Sequence, residues 1–436
     1  LLFAIQAGAG YVDFEFADWS RSATARHDLA AALADPAVVG HAPRLILSHH
    51  DFDRRPADLD ALVRDLCAVG EAGAIKIAWP ARDILDNFDA FDIMRTADKD
   101  AVVICMGDTG LMSRVLAGKC GALASYCALD ADSAAAPGQL TLAQMRDRYR
   151  WDVVNEATEV YGVIGCPVAH SIGPYVFNDA FARQKINAVY LPLPVSAEYD
   201  AFAAFMDACL QREWFGARGF SVTLPHKMNA LRYLGDRVDP PADLIGAVNT
   251  IRIEEGEVWG CNTDCDAAVD MLLGGMGCAE EDLEGVRVDV LGAGGVSRAV
   301  VAGLTDCGCD VTVYNRDPDR ADELADTFDC QSRPWDDRTG AQGTVLINCT
   351  RVGMWPDVDA SPMPADALRA DTVVFDAVYR PRRTRLLRDA ESAGCTVIDG
   401  VGMFVRQAAM QCEYWTHQPA DEQRIRAIVE ETLAAD

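Results

Sequence analysis

The sequence predicts an α/β protein of two or more domains built on parallel sheets. Three observations carry that reading. The chain has 436 residues, more than one ordinary hydrophobic core organises. Short apolar runs alternate with amphipathic helical stretches along its length, the pattern of βα units. One run, VRVDVL at 286–291, leads into a glycine-rich turn and then a helix, the local order of a dinucleotide site.

Up to about Arg150 the β-like runs are YVDFEF (11–16), RLILS (44–48), AIKIA (74–78), AVVICM (101–106) and GALASYC (121–127), with amphipathic stretches such as 57–70 between them. Five parallel strands predict an incomplete (β/α)8 (TIM) barrel, because a closed barrel has eight strands and typically about 250 residues. Residues 137–156 read as a closing helix and a short connector. The alternation restarts with YGVIG (161–165), AVYLPL (188–193) and GFSVTL (219–224). After the glycine turn come VTVYN (311–315), VLINC (345–349), VVFDAV (373–378) and CTVID (395–399), then helical segments over 404–415 and 422–433.

A net charge of −28 opposes binding to nucleic acid or to an anionic membrane, while a locally basic pocket still admits a small anion. No apolar run reaches the roughly eighteen residues of a membrane span. The first ten residues lack the basic flank of a signal peptide, so a cytoplasmic location is expected. Leu1 in place of Met suggests a chain that begins mid-protein. The fifteen cysteines are scattered, Cys307 and Cys309 being closest. They read as reduced thiols, and without paired Cys or His spacing no metal site is expected. Only five of the 39 basic residues are lysines, at 76, 99, 119, 185 and 227. A lysine that persists in so arginine-biased a chain suggests a need for an amine, since arginine neither forms a Schiff base nor loses its proton.

Gly292, Gly294 and Gly295 form the glycine turn. They let the backbone approach a pyrophosphate at a helix N-terminus, where free N–H groups favour anions. About twenty residues past the turn the next strand ends in Asn315 and Arg316, where an arginine suits a 2′-phosphate and predicts NADP. Arg320 supplies a second cation, and the neighbouring Asp317 opposes both.

Seven motifs then occur in order: GCPVAHSIGP (165–174), GFSVTLPHK (219–227), GAVNT (246–250), GCNTD (260–264), NCTRVGM (348–354), DAVYRPRRTRLL (376–387) and GVGMFVRQA (400–408). They resemble shikimate dehydrogenase from about Tyr161 onward. The resemblance implies Lys227 as proton shuttle and Asp264 as its orienting partner. It assigns Asn249 to ring hydroxyls and Ser171 to the substrate carboxylate, with Thr223, Tyr379 and Gln407 completing the pocket. Thr350 and Gly402 fall in motifs it assigns to the cofactor. One departure stands out. The family usually has Ser-x-Ser-Pro, and this chain has Ser171-Ile172-Gly173-Pro174. Loss of a hydroxyl is worth about 1 kcal/mol for a neutral hydrogen bond and should open space. Relatives that oxidise quinate can carry glycine there, so some tolerance of quinate is expected, with shikimate the main substrate because Thr223 matches the shikimate type.

In the first part, YVDFEF, ILSHHDFDRRP (46–56), AIKIAWP (74–80), MGDTGLMSR (106–114) and APGQ (136–139) resemble type I 3-dehydroquinate dehydratase. The resemblance implies Lys76 as the Schiff-base lysine, which makes the ring an electron sink, and His50 as the base and later the acid. Arg114 would bind the carboxylate and Gln139 would sit on a closing loop. His49 faces the other side of its strand and reads as structural. Ala135 stands where the family has Ser or Thr. The family's first strands, with a Glu-x-Arg pair and an Arg-Thr strand end, have no counterpart, so a fragment is expected.

The resemblances together imply a partial dehydratase barrel over 1–152, a substrate-binding domain over 158–264, a Rossmann NADP-binding domain over 265–398 and C-terminal helices over 399–436. They imply consecutive steps, from 3-dehydroquinate to 3-dehydroshikimate and then to shikimate. Two other readings stay open: a dehydrogenase beside an inactive half-barrel, and a metabolite-sensing binding module without catalysis.

Overall fold

The computed structural model describes residues 1–35, 43–130, 132 and 139–435. The chain divides into two compact units. The first comprises Leu1–Gly162, Cys166–Pro174 and Lys185–Ala217; the second comprises Val163–Gly165, Tyr175–Gln184 and Arg218–Asp436.

In the first unit, β1 (Tyr11–Glu15), β2 (Arg44–His50), β3 (Ala72–Pro80) and β4 (Asp100–Met106) lie side by side in chain order. All three pairings are parallel. Helices follow the strands at Leu59–Ala68 and Asp86–Thr96. This is an open arc of a (β/α) barrel, one strand shorter than the sequence suggests. Gly121–Cys127, read as a fifth strand, forms no ladder among the described residues, although Leu123 N–H donates to the Ala101 carbonyl (3.0 Å). Its Gly and Ala residues have little strand preference. The expected helix at 137–156 is also reduced, to a π-helical turn at Gln144–Arg148 and one 3₁₀ turn at Trp151–Val153. Ala135 and the first three residues of APGQ lie outside the described residues.

The first unit also takes in later parts of the chain. Phe88 and Phe91 pack with Trp214 and Phe215, and Arg212 pairs with Asp92 at 2.9 Å. Lys119, 3 % exposed, donates to the carbonyls of Glu156 (2.8 Å) and Thr158 (2.7 Å).

A second sheet comprises β5 (Glu159–Gly165), β6 (Ala188–Pro194), β7 (Ala217–Val222), β8 (Thr250–Glu254) and β9 (Glu257–Cys261), in the order β6-β5-β7-β8-β9. The β8–β9 hairpin is an addition to the elements expected from sequence. Its two-residue turn, Glu255-Gly256, has positive φ at both positions (52° and 83°), the geometry that matches the twist of paired strands.

The third sheet lies in the second unit: β10 (Arg287–Leu291), β11 (Asp310–Asn315), β12 (Gln331–Pro334), β13 (Val345–Asn348), β14 (Val373–Asp376) and β15 (Thr396–Ile398). All its pairings are parallel and the order is β12-β11-β10-β13-β14-β15. This is the doubly wound 3-2-1-4-5-6 arrangement, whose ligand crevice opens where the order reverses, here between β10 and β13. Both faces are covered. Val288, Val290, Ile347 and Phe375 pack on one side, and Leu291, Leu346 and Val374 on the other, so the strands read as continuous apolar runs.

Candidate active sites

In the second unit two helix starts converge. Lys227 opens the helix Lys227–Leu234 just past β7, and Asp264 opens the helix Asp264–Met276 just past β9. Lys227 Nζ lies 2.5 Å from Asp264 Oδ2, with the side chains 7 % and 9 % exposed. A carboxylate suits the first turn of a helix and an ammonium opposes its dipole. The sequence therefore keeps a locally unfavourable lysine against a favourably placed acid. The lysine stem lies against the glycine turn: a Cβ at Gly295 would come 3.0 Å from Lys227 Cδ. The expected catalytic pair and the expected cofactor turn are thus in contact.

The turn itself fits a pyrophosphate. Gly292 has φ +109°, with Thr350 Cγ2 3.1 Å from the place of its missing Cβ, and nothing lies within 4 Å of the corresponding position at Gly294. The helix Gly295–Asp306 starts there. The second strand ends as expected. Asn315 Nδ2 donates to the Asp317 carbonyl (2.9 Å), Arg316 is exposed, and Asp317 pairs with Arg320 at 3.4 Å. Gly402 is different: its missing Cβ would meet Met271 Cε at 2.6 Å, so this glycine lets two helices pack closely and offers a ligand backbone only.

Asn249 is 2 % exposed and its amide is oriented on several sides. Its oxygen accepts from Thr250 Oγ1 (2.7 Å) and Thr263 N–H (2.9 Å), and its Nδ2 donates to Thr263 Oγ1 (3.0 Å). Gln411 extends this network, donating to Thr250 Oγ1 (2.8 Å) and accepting from Ser221 Oγ (2.7 Å). The sequence reading selects Gln407 and passes over Gln411, one helical turn on; the i, i+4 spacing is the available signal. Gln407 Nε2 caps the Phe404 carbonyl (3.1 Å), and Phe404 packs on Tyr379 with centroids 4.8 Å apart. Thr223 is half-buried just past β7, its N–H bonded to the Ile164 carbonyl (2.9 Å).

A second network supports Thr350. Its hydroxyl donates to Asn348 Oδ1 (2.7 Å), Asn348 Nδ2 donates to Asp376 Oδ1 (2.9 Å), and Thr384 Oγ1 donates to Asp376 Oδ2 (2.6 Å). Burial pushes the Asp376 carboxyl up to about 6, against the lowering effect of Thr384, Val378 and Asn348. The unfolded chain loses this proton near the ordinary 3.8. Unfolding therefore releases a proton between about pH 4 and 6, and stability falls as pH rises through that window, then levels off. A difference of that size corresponds to about 3 kcal/mol. Asp376→Asn is expected to flatten this slope; urea denaturation at a series of pH values measures it, and an unchanged slope would assign the effect elsewhere.

In the first unit, Ser171 and Gly173 flank the start of the helix Gly173–Arg183. Gly173 N–H donates to Ser171 Oγ (3.1 Å), and Arg148 donates to the Ser171 carbonyl (3.3 Å). The expected opening at Gly173 is not there. A Cβ at this position would lie 2.8 Å from Tyr190 Cε1, because the tyrosine ring fills the space.

The open sheet gathers the other residue set on one face. Strand pleating and register put Asp13, Glu15, Ser48, His50 and Lys76 on the same side. Lys76 Nζ pairs with Asp13 Oδ2 at 2.9 Å and stands 4.4 Å over the Tyr126 ring. His50 Nδ1 lies 2.8 Å from Glu15 Oε2, a contact that orients the ring through Nδ1. Asp13 and Glu15 escape the sequence reading, although their i, i+2 spacing in YVDFEF marks one strand face. Arg114 is 3 % exposed, donates to the Tyr126 carbonyl (3.1 Å) and has no partner for Nε among the described residues. Burial lowers its pKa. Tyr126 thus touches both Lys76 and Arg114. Gln139 is half-buried beside the bridge from Ala128 to Thr141.

Comparison with known proteins assigns a family to both parts of the chain. The family model for type I 3-dehydroquinase matches residues 1–156. The shikimate dehydrogenase substrate binding domain matches 163–251, shikimate/quinate 5-dehydrogenase matches 278–340, and the shikimate 5′-dehydrogenase C-terminal domain matches 400–430. The chloroplastic bifunctional 3-dehydroquinate dehydratase/shikimate dehydrogenase of Arabidopsis thaliana is 37 % identical, over 97 % of this chain and 70 % of its own length. The NADP(+) shikimate dehydrogenase of Haloarcula marismortui is 40 % identical over 63 % of this chain and all of its own length. The crystal structure of Thermus thermophilus shikimate 5-dehydrogenase with NADP(H) and shikimate superposes with a TM-score of 0.56 at 34 % identity, covering 63 % of this chain and all of that one. The chain belongs to the bifunctional 3-dehydroquinate dehydratase/shikimate dehydrogenase family.

Proposed function

We propose that the chain carries out two consecutive reactions: dehydration of 3-dehydroquinate to 3-dehydroshikimate, and NADP-dependent reduction of 3-dehydroshikimate to shikimate. The observation that carries the reading is the buried Lys227–Asp264 pair lying against the glycine turn. Domains follow the motifs: dehydratase over 1–152, substrate binding over 158–264, nucleotide binding over 265–398, and closing helices over 399–436.

For the reduction, Gly292, Gly294 and Gly295 receive the pyrophosphate, Thr350 and Gly402 border it, and Asn315, Arg316 and Arg320 hold the 2′-phosphate end. NADPH, when bound, supplies the hydride. Lys227 gives a proton to the carbonyl oxygen as it gains negative charge. Asp264 holds the ammonium in place and keeps it from wandering to water. Asn249, aimed by Thr250 and Thr263, takes a ring hydroxyl; Ser171 takes the carboxylate; Thr223, Tyr379 and Gln407 close the ring site.

For the dehydration, the Lys76 amine adds to the substrate ketone and water leaves, giving an imine that accepts electrons from the neighbouring carbon. His50, steadied by Glu15, removes the proton there and returns it to the departing hydroxyl, which leaves as water; a water then hydrolyses the imine, releasing the product ketone and the Lys76 amine. Arg114, whose buried Nε has no partner among the described residues, takes the carboxylate, and Gln139 covers the site. Both substrates are small anions. No helix among the described residues is long and apolar enough to cross a membrane, and the reading carries with it a cytoplasmic location.

The purified chain tests this directly. Shikimate with NADP+ should give NADPH absorbance, and 3-dehydroquinate should give the absorbance of the conjugated product. Shikimate binding without any NADP-linked change would favour the sensing module instead. Shikimate oxidation without dehydroquinate turnover would leave a dehydrogenase beside an inactive half-barrel.

A further inference from the structure

The helix Gly400–Thr416 meets the strands beneath it at three positions one turn apart, 407, 411 and 415. Thr263 Oγ1 donates to the Gln407 carbonyl (3.3 Å), and Trp415 Nε1 donates to the Ile251 carbonyl (2.9 Å). Gln411 sits between them, buried, over the antiparallel partners Ser221 on β7 and Thr250 on β8. Two main-chain contacts fix which way the buried amides point. Gln411 Nε2 donates to the Asn249 carbonyl (3.1 Å), and the Thr263 main-chain N–H donates to Asn249 Oδ1 (2.9 Å). A carbonyl cannot donate and a peptide N–H cannot accept, so neither amide can be turned over. The hydrogen bonds between them then run in one direction. The Ser221 hydroxyl donates to Gln411 Oε1 (2.7 Å), Gln411 Nε2 to Thr250 Oγ1 (2.8 Å), and the Thr250 hydroxyl to Asn249 Oδ1 (2.7 Å). Both lone pairs of Asn249 Oδ1 are thereby taken, and Nδ2 commits one hydrogen to Thr263 Oγ1 (3.0 Å). Its second hydrogen has no partner among the described residues.

We propose that Gln411 is a positioning residue of the dehydrogenase, which makes Asn249 a hydrogen-bond donor, and only a donor, to a substrate ring hydroxyl. The inference rests on the proposed function and deepens it. A hydroxyl has a single proton, and Thr250 can aim its own at Asn249 or elsewhere. The amide of Gln411 occupies the Thr250 oxygen as a donor, so the proton goes to Asn249 Oδ1. In a buried network each bond polarises the next, and the direction set on the C-terminal helix reaches the substrate site. The ring hydroxyl that meets Asn249 therefore accepts a hydrogen bond there and keeps its own proton for another partner. A ring substituent with no lone pair to offer, such as an ammonium, would face a donor and be refused.

Shikimate dissociation constants from calorimetry, with steady-state kinetics, test this in wild type and Gln411→Glu. An ionised carboxylate at 411 accepts where the amide donates, takes the Thr250 proton and turns the series of bonds around. At high pH Gln411→Glu should therefore weaken shikimate binding about tenfold or more, with kcat and the KM for NADP+ little changed. At low pH the buried carboxyl is neutral and can donate to Thr250 again, so the ratio to wild type should shrink. Among shikimate analogues that each lack one ring hydroxyl, the one without the group that meets Asn249 should bind both proteins alike. Wild-type affinity in Gln411→Glu at high pH would overturn the proposal. So would an equal loss for shikimate and every analogue, which marks a residue that only supports the fold. If the circular dichroism spectrum shows that Gln411→Glu does not fold, Gln411→Met, Thr250→Val and their combination take its place. The combination should weaken shikimate binding no more than Thr250→Val alone; additive losses, or no loss in any of the three, would sink the route through Thr250. If the wild type binds shikimate but does not oxidise it, the proposed function fails and the affinity ratios still test Gln411. If it binds no shikimate, both fail.

Discussion

Lys227→Met is expected to reduce shikimate oxidation about 10²–10⁴-fold, the usual worth of a positioned proton donor, and to destabilise the protein as well. The two effects have separate causes and come apart in a double variant. With the ammonium gone, the Asp264 carboxylate, 9 % exposed, remains buried without its counter-charge, which costs about 3–5 kcal/mol. Asp264→Leu strands the ammonium in the same way. The Lys227→Met/Asp264→Leu protein has neither charge, and uncharged replacements of a buried pair are often neutral or stabilising. Stability should therefore return in the double variant while activity does not. Urea midpoints and steady-state rates on the three proteins measure this. Activity within tenfold of wild type in Lys227→Met would exclude it as the proton donor. A double variant no more stable than the singles would mean the pair is not the isolated buried unit its geometry describes.

The scarcity of lysine is a useful signal with a limited meaning. Lys76 and Lys227 do end on carboxylates at the two expected sites. Two others use the same compact ammonium structurally: Lys99 donates to the carbonyls of Val69 (2.5 Å) and Ala72 (2.6 Å), and Lys119 to those of Glu156 and Thr158. Three donors around one point suit converging main-chain carbonyls better than a planar guanidinium does. What the chain retains, then, is lysine wherever a point-like cation must dock, and catalysis is one such case. The cofactor turn is readable because strand, glycines and helix are contiguous in sequence and the chemistry of each is local.

The residues that escape such a reading are those whose meaning depends on neighbours distant in sequence. Glu15 and His50 meet only because β1 and β2 pair in one register. Gly173 reads in sequence as a departure that opens space, and only the approach of Tyr190 shows that the glycine makes room for a ring. Asp376 reads as the end of an apolar strand until Asn348 and Thr384 are found around it. Gly121–Cys127 fails in the opposite direction. Its alternation suggests a strand, but among the described residues it forms no ladder, and Ser125 and Tyr126 instead engage Arg114 and Lys76.

Lys76→Arg is a sharper test of the first active site than removal of the side chain. The guanidinium preserves the charge that faces Asp13 Oδ2 and the aromatic face of Tyr126, so the sheet should keep its stability within about 1 kcal/mol, as for partly exposed ion pairs. It cannot, however, become the neutral amine that adds to a ketone. Dehydroquinate turnover should fall to background in Lys76→Arg with the urea midpoint nearly unmoved. Borohydride added with substrate should give a covalent adduct, mapped by mass spectrometry to residue 76 in the wild type and absent in the variant. A purely electrostatic role for this lysine predicts the reverse, retained turnover and no adduct in either protein. The shared face supplies the reason to expect the covalent route. Lys76 and His50 project from adjacent parallel strands, two residues apart in register, so one nitrogen can hold the substrate carbon skeleton while the other reaches a proton next to it.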